Sequence, residues 1–247
     1  MASYPKKLFY EGNTDLLKRK KISIVGSRKP TKYSRMIIQK LSSSLSKNGI
    51  CIVSGGAMGI DATAHTGAGA SNTISVLPCG IDIRYPAVNK SLLNEIQKKG
   101  LLLSQFDLGF TATPWSFVVR NELVVSLGEV LVVAEAELNS GTMRSIEYAL
   151  KMNKEIFVLP HRLNESEGTN QLLSEGNAKA IYDIDEFISS FVGDEELAKI
   201  KKDDDFLKFC NLNPSYEETL KKYPQRVFEA ELNGEIVVKN GRVISNI

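Results

Sequence analysis

The stretch that decides the fold is Ile50-Cys51-Ile52-Val53-Ser54-Gly55-Gly56-Ala57-Met58-Gly59-Ile60-Asp61. An apolar run typical of a buried strand ends at closely spaced glycines and leads directly into a helical pattern. Glycine lets the backbone approach a phosphate closely, and the N–H groups at the start of a helix favour negative charge. The stretch therefore predicts a phosphate-binding turn on an α/β sheet, and its binding residues are Ser54, Gly55, Gly56 and Gly59.

Apolar runs of this kind recur along the chain and alternate with helical patterns. The predicted strands are Ile22–Val25, Ile50–Val53, Thr73–Leu77, Leu101–Ser104, Val130–Ala134 and Ile156–Leu159. The predicted helices are Tyr33–Asn48, Ala62–Ala70, Lys90–Lys99, Trp115–Ser126, Met143–Met152 and Asn170–Glu175. This alternation predicts a Rossmann-like, doubly wound, mainly parallel sheet, which binds its ligand beyond the carboxyl ends of the strands.

The pattern changes after residue 193, which predicts a second, smaller domain. Residues 1–193 form the Rossmann-like domain in this interpretation, 194–205 a charged linker, and 206–247 a winged-helix-like domain. Ser215 is expected to cap a helix of this domain, and Asn240-Gly241 is a strong signal for a two-residue hairpin turn.

Composition and charge are those of an ordinary globular protein, with 43% hydrophobic and 24% charged residues and a net charge of +2. The sequence contains neither a long apolar run nor a signal-peptide pattern, and its three cysteines are scattered, so we expect a cytoplasmic protein with no membrane contact. Basic residues concentrate in residues 1–35. This concentration is consistent with a polyanion partner, although a solvated basic surface explains the charge alone equally well.

Three further segments carry groups suited to phosphate or to bases, although the first, Gly26-Ser27-Arg28, is also consistent with a surface turn that holds an ordinary salt bridge. Gly26-Ser27-Arg28 ends a strand and presents a hydroxyl and a guanidinium, which suits phosphate oxygens. The segment around Phe117, Arg120 and Asn121 can stack a base and hold its backbone, although a core helix is the simpler explanation of the pattern. Ser140-Gly141-Thr142 opens a helix whose amides and Thr142 suit a second phosphate or a sugar oxygen.

Signatures of bond-breaking chemistry are missing from the sequence. We find no phosphate-binding loop of the ATPase type, no zinc-ligand spacing and no nucleophile elbow. The sequence therefore predicts no catalytic residue, no metal and no cofactor.

Taken together, these motifs resemble the DNA processing protein A (DprA/Smf) family of bacterial competence proteins. The matching pieces, in order, are Gly26-Ser27-Arg28 with Tyr33, Ser54-Gly55-Gly56-Ala57-x-Gly59-Ile60-Asp61 with Ala64-His65, Leu77-Pro78-x-Gly80-Ile81-Asp82 with Tyr85-Pro86, Leu101–Ser104, Phe117-x-x-Arg120-Asn121, Val132-Val133 with Ala136, Ser140-Gly141-Thr142, and Gly168-Thr169-Asn170 with Leu172. The likeness covers roughly residues 20–185. It departs from the family pattern at Gln105, at Glu122 and at Pro160-His161.

The resemblance implies a Rossmann-like protein that binds single-stranded DNA, forms a homodimer, protects incoming strands in natural transformation and helps to load the recombinase RecA. It also implies that Gly26–Arg28 grip the DNA backbone, that Gly55, Gly56 and Gly59 line the pocket, and that Phe117 stacks a base beside Arg120 and Asn121. An acid at position 122 would repel phosphate if it faced the DNA.

Two other functions stay open at this point. One is a nucleotide phosphoribohydrolase of the Lonely-guy type, which shares the glycine turn, although the residues after Gly141-Thr142 lack its closely following acid. The other is a scaffold whose pocket is vestigial. The C-terminal domain is consistent with duplex DNA binding through Lys239 and Arg242, or with a protein contact, which Glu229, Glu231 and Glu235 favour.

Overall fold

An eight-stranded sheet forms the centre of the larger unit, Met1–Ile188, in the computed structural model, which describes residues 5–192, 205–232 and 234–245. Across the sheet the strand order is β1-β5-β4-β3-β2-β6-β7-β8, and every neighbouring pair is parallel except β1 with β5. The strands are β1 (Phe9–Gly12), β2 (Lys21–Val25), β3 (Cys51–Ser54), β4 (Thr73–Val76), β5 (Leu101–Ser104), β6 (Leu131–Val133), β7 (Ile156–Val158) and β8 (Lys179–Ala180). The mainly parallel α/β fold and its six predicted strands are confirmed.

Helices connect these strands and cover the sheet. They are α1 (Lys32–Lys47), α2 (Ile60–Ala68), α3 (Lys90–Lys99), α4 (Pro114–Leu127), α5 (Gly141–Lys151), α6 (Glu167–Ser174) and α7 (Ile184–Ser189). Their starts follow from local sequence. Thr31 caps α1 by accepting a hydrogen bond from the Ser34 N–H at 3.2 Å, and Thr113 and Ser116 form a reciprocal capping box at α4.

The order of the strands fixes where the loops meet. From β2 the chain builds outward through β3, β4 and β5, and it then returns to place β6 on the other side of β2. The crevice of such a sheet opens between β2 and β6, beyond their carboxyl ends. The loops after β2, β3, β4 and β6 therefore share one edge of the sheet.

The sheet is rigid because its central strands are buried on both faces. Every residue of β3, β4 and β5 is buried, and the core continues into the apolar faces of α4 and α5. Each fully buried aliphatic side chain contributes roughly 1.5–3 kcal/mol. The loops at the carboxyl edge are thus held on a fixed frame.

The smaller unit, Ser189–Ile247, has its own core. Its described elements are helices α8 (Asp205–Cys210), α9 (Tyr216–Lys222) and α10 (Pro224–Leu232), followed by the strands β9 (Ile236–Lys239) and β10 (Arg242–Ser245). Ser215 forms a capping box with Glu218, and Asn240 and Gly241 both have positive φ in the turn between the strands, as predicted. The predicted linker lies outside the described residues apart from Asp205, and the boundary at residue 193 stays a prediction.

Within the described ranges, no helix is both long and apolar enough to cross a bilayer. The same ranges hold no group of three or more His, Cys, Asp or Glu side chains placed to bind a metal ion.

Candidate nucleic-acid interface

The glycine turn after β3 is packed around a buried arginine. Arg120, on α4, is only 3% exposed, and its Nη1 donates hydrogen bonds to the carbonyls of Gly55 and, at 2.6 Å, of Val76. A Cβ at residue 55 would overlap this guanidinium, so the first glycine of the turn makes room for Arg120. Gly56 follows with a φ of +67°, a conformation that glycine adopts without strain.

Arg120 balances a buried acid on α2. Burial raises the pKa of Asp61, and Arg120 opposes that rise together with the N–H of Ala57, which donates to Asp61 Oδ2 at 3.3 Å. Burial in turn lowers the pKa of Arg120 to about 10, which leaves it charged at neutral pH. Arg120 therefore connects the glycine turn, the end of β4 and the first turn of α2.

The turn after β2 rests directly on the start of α2. Gly59 has a φ of +80°, and a Cβ at this position would overlap the carbonyl oxygen of Ser27. The N–H of Ile60 donates to that same oxygen at 3.1 Å. On the other side, a Cβ on Gly26 would lie 2.8 Å from Cγ1 of Ile60. Both glycines are thus required for the close approach of the two turns.

The exposed part of the site is a cluster of one cation and two aromatic rings, Arg28, Phe117 and Tyr85, which we call the Arg28 cluster. The Arg28 guanidinium lies 4.8 Å from the centre of the half-buried Phe117 ring, and Arg28 itself is exposed. Tyr85, which is 45% exposed, packs its ring edge against Phe117 with 5.8 Å between centroids. A guanidinium held over an aromatic ring offers donors to phosphate and flat surfaces to a base.

The loop after β4 brings Tyr85 into the site and also fixes the glycine turn. Asn89 Nδ2 donates to the carbonyls of Gly56 and Ala57, each at 3.0 Å. Sequence reasoning singled out neither Tyr85 nor Asn89 as a site residue. The available signal was the Tyr85-Pro86 pair among the matching motifs, followed closely by an asparagine.

The crevice between β2 and β6 is filled by an acid of the protein itself. Glu135 is 8% exposed, and its Oε2 accepts hydrogen bonds from the Thr31 N–H at 2.9 Å, the Thr31 hydroxyl at 2.9 Å and the Ser34 hydroxyl at 2.7 Å. The N–H groups of Ala57 and Ile60 also have acceptors within the protein. These donors at this edge are therefore already paired internally. Anion binding at this edge depends more on cationic side chains than on backbone amides.

The remaining predicted residues differ in position. Ser54 is fully buried and donates its hydroxyl to the carbonyl of Ile24 at 2.6 Å within the sheet. Asn121 is half-buried on α4. At the start of α5, Gly141 is exposed, Thr142 is buried, and the buried hydroxyl of Ser140 has no partner within the described residues. This loop follows β6 and shares the carboxyl edge with the other turns.

Two of the departures from the family pattern have a structural account. Glu122 is half-buried and lies near Tyr148 of α5. The pKa of Tyr148 is raised by burial, and the negative charge of Glu122 raises it further. The charge of Glu122 thus acts on the α5 side of α4. Nε2 of His161 donates to the carbonyl of Ala134 at 2.8 Å, and its ring meets the edge of Tyr33.

His65 is a packing residue in this structure. The Thr73 hydroxyl donates to the carbonyl of Ile52 at 2.8 Å and so accepts the proton of His65 Nδ1 at 2.7 Å. Burial, with a smaller effect from Arg120, lowers the pKa of His65 to about 3, so the ring is neutral at physiological pH.

Comparison with known proteins gives consistent results. The profile of the family described as DNA recombination-mediator protein A matches residues 1–192. DNA processing protein DprA of Streptococcus pneumoniae is 35% identical over 191 residues, which cover 76% of this chain and 67% of that protein. Protein Smf of a Synechocystis species is 34% identical over 77% of this chain and 50% of its own length. This chain thus spans between 44% and 67% of the length of the curated relatives that it matches.

Solved structures agree with the sequence comparison. A structure of DNA processing protein A from Helicobacter pylori, described for its single-stranded DNA binding mode, has a TM-score of 0.77 and 43% identity, and the match covers 78% of this chain and 90% of that one. An X-ray structure of DprA from Streptococcus pneumoniae has a TM-score of 0.69 and 35% identity, with coverage of 74% and 65%. The chain therefore belongs to the DNA recombination-mediator protein A family.

Proposed function

We propose that this protein binds single-stranded DNA without sequence preference, with the Arg28 cluster at the centre of its binding surface. The observation that carries the proposal is the exposed Arg28 guanidinium, 4.8 Å above the ring of Phe117 with Tyr85 beside it, at the edge where the sheet places its ligand loops. The Helicobacter pylori relative, studied for binding of single-stranded DNA, supports it.

The predicted site residues take different roles in this proposal. Gly26, Ser27 and Arg28 contact the sugar-phosphate chain, and Phe117 stacks with a base. Ser54, Gly55, Gly56, Gly59 and Arg120 position these groups, because they are buried or packed against neighbouring loops. Asn121 and the loop of Ser140, Gly141 and Thr142 offer a second contact along the same edge.

The cellular role that we propose is the one that the family resemblance implies. The protein protects incoming single strands during natural transformation, acts as a homodimer in the cytoplasm, and helps to load the recombinase RecA. It acts as a binding protein and not as an enzyme. In line with this, the first acid after Gly141-Thr142 is Glu147, which pairs with Arg144 at 2.9 Å on the exposed side of α5.

Replacement of Arg28 by alanine tests the proposal. We expect the affinity for oligothymidylate and for a mixed-sequence strand to fall alike, by about 5–30-fold, since a phosphate contact and a cation–π contact are lost. The slope of log affinity against log salt should become shallower by about 0.7. Fluorescence anisotropy at several salt concentrations measures both quantities.

Lys98→Ala is the matched control, because Lys98 is an exposed cation at the end of α3, just before β5 begins and so at the opposite edge of the sheet. If Arg28→Ala binds as tightly as the parent protein while both remain folded, the Arg28 cluster is not the binding site.

A further inference from the structure

A groove of about 410 Å³ runs between α1 and α2, outside the Arg28 cluster. Side chains from the outward faces of both helices line it. They are Lys32, Arg35, Met36 and Gln39 from α1, and Ala62, Thr63 and Thr66 from α2. The described residues that line this groove include cations but no acid.

The cations of the groove are available to a ligand. Lys32 and Arg35 are exposed, and neither forms an ion pair within the described residues. Glu135, which lies under the same end of α1, is buried and occupied by Thr31 and Ser34. The outer surface of the first turns of α1 therefore carries exposed cations and no acid.

The floor of the groove is largely apolar. Met36 is 59% exposed, so an unbranched, polarisable side chain faces solvent there. The hydroxyls of Thr63 and Thr66 donate to the carbonyls of Gly59 and Ala62, at 2.9 and 2.8 Å, and so do not offer their protons to a ligand. Cations beside an apolar floor suit the phosphates and the unstacked bases of a single strand.

The groove and the Arg28 cluster are formed by neighbouring segments of the chain. Lys32, the first residue of α1, lies four residues after Arg28 in the chain. Thr63 lies four residues after Gly59, the glycine that brings the start of α2 against Ser27. From Lys32 to Gln39 the groove extends about 10 Å along the helix axis. We propose that a DNA strand held at the Arg28 cluster continues along the groove between α1 and α2, with Lys32 and Arg35 on its phosphates. This inference rests on the proposed function and extends it to a longer path.

The double variant Lys32→Gln/Arg35→Gln tests this path with two oligothymidylates, one too short to reach from the Arg28 cluster along the groove (about 2 nucleotides) and one long (about 20 nucleotides). Loss of two phosphate contacts should make the salt slope for the long strand shallower by about 1.4, which corresponds to about 25-fold weaker binding near 0.1 M salt. Binding of the short strand should match that of the control Lys98→Gln/Lys99→Gln, which removes equal charge from the end of α3.

The outcomes separate the two proposals. If the groove variant and the control bind the long strand equally well while Arg28→Ala binds both strands weakly, the groove path is wrong and the proposed function stands. Equal weakening of short and long strands by the groove variant also overturns the path. If Arg28→Ala leaves both strands unaffected, the proposed function itself fails.

A second measurement does not depend on affinity. The three native cysteines are buried, so a fluorophore attached to Gln39→Cys reports the far end of the groove. The long strand should change its emission and the short strand should not, and a label on Lys98→Cys should respond to neither. A groove label that responds to an acidic peptide but not to the long strand would show that the groove is a protein-binding surface, and would overturn the path.

Discussion

Replacing Arg120 by methionine should destabilise the larger unit by about 3–5 kcal/mol, because it leaves a buried acid without its opposing charge. Asp61 is 7% exposed, and its charged form is supported by Arg120 and by the Ala57 N–H. The substitution also removes the donors to the Gly55 and Val76 carbonyls. Methionine keeps much of the volume of arginine, so the loss reports mainly on charge and hydrogen bonds.

A double-mutant cycle isolates the interaction between the two charges. Asp61→Asn alone should also be costly, since it leaves the Arg120 guanidinium buried without an anion. The double variant Asp61→Asn/Arg120→Met should lose less stability than the two single variants together, by about 1–3 kcal/mol.

The only tryptophan of the chain makes the assay specific for this unit. Trp115 lies on α4, the helix that carries Arg120, and packs against Phe106 with 6.0 Å between centroids. Urea unfolding followed by tryptophan fluorescence therefore measures the larger unit without the C-terminal one. The free energies of unfolding of the four proteins of the cycle, at one pH, give the coupling.

The pH dependence of stability tests the same charge pair independently. The folded pKa of Asp61 is raised above its unfolded value, so its ionisation favours the unfolded state. As the pH falls from the folded-state pKa of Asp61 towards its unfolded-state pKa, the carboxyl takes up a proton in the folded protein and the free energy of unfolding rises. In Arg120→Met that pKa should rise further, and the recovery should begin at a higher pH than in the parent protein. The buried charge pair would be refuted by three results together: each single variant costs less than about 1 kcal/mol, the two costs add up to that of the double variant, and Arg120→Met shows no such recovery at low pH.

Two further predictions concern His65 and the glycines. The pKa of His65 is lowered to about 3 in the folded state, so its contribution to stability is present above about pH 6.5 and is lost as the pH falls below that value. Between pH 6.5 and 5 the free energy of unfolding of the parent protein, measured in urea, should therefore fall by about 2 kcal/mol more than that of His65→Gln. Equal losses would contradict a buried neutral ring. Gly59→Ala should destabilise the protein by about 1–3 kcal/mol and weaken binding of single-stranded DNA, because it forces a strained φ and pushes against Ser27. Gly141→Ala is the control, since no atom lies within 4 Å of the added Cβ, and it should leave the melting temperature unchanged. Equal melting temperatures for the two variants would refute the close packing at Gly59.

The central sheet was predictable because each of its parallel strands is a short, continuous apolar run. The two outer strands were not. β1 alternates half-buried and exposed residues over only four positions, all of which pair with β5. Its last residue, Gly12, has a φ of +109° and lies against the carbonyl of Gly100. β8 has only two residues. Neither is long enough to show a hydrophobic period, so their pairing depends on contacts distant in sequence.

The candidate site was predictable as a location and less so in its chemistry. Strand order alone brings the turns that hold Arg28 and Gly55 to one edge of the sheet. Sequence could not show that Arg120 points inward, because the apolar residues of α4 are spread around the helix and define no single buried face. Glu135 was also hidden, since its partners Thr31 and Ser34 are about a hundred residues away in the chain.

The internal pairing of the loop amides decides what kind of ligand suits this surface. Donating the N–H groups of Ala57 or Ile60 to a phosphate would break existing hydrogen bonds, at about 1 kcal/mol each, and so would gain little. Affinity must then come from cationic side chains and from stacking, and each such contact is modest alone. A mononucleotide offers one phosphate and one base to such a surface, whereas a strand repeats both along its length. If Arg28 and Phe117 bind a strand as proposed, we therefore expect this edge to be indifferent to sequence and to select a polymer over its monomers.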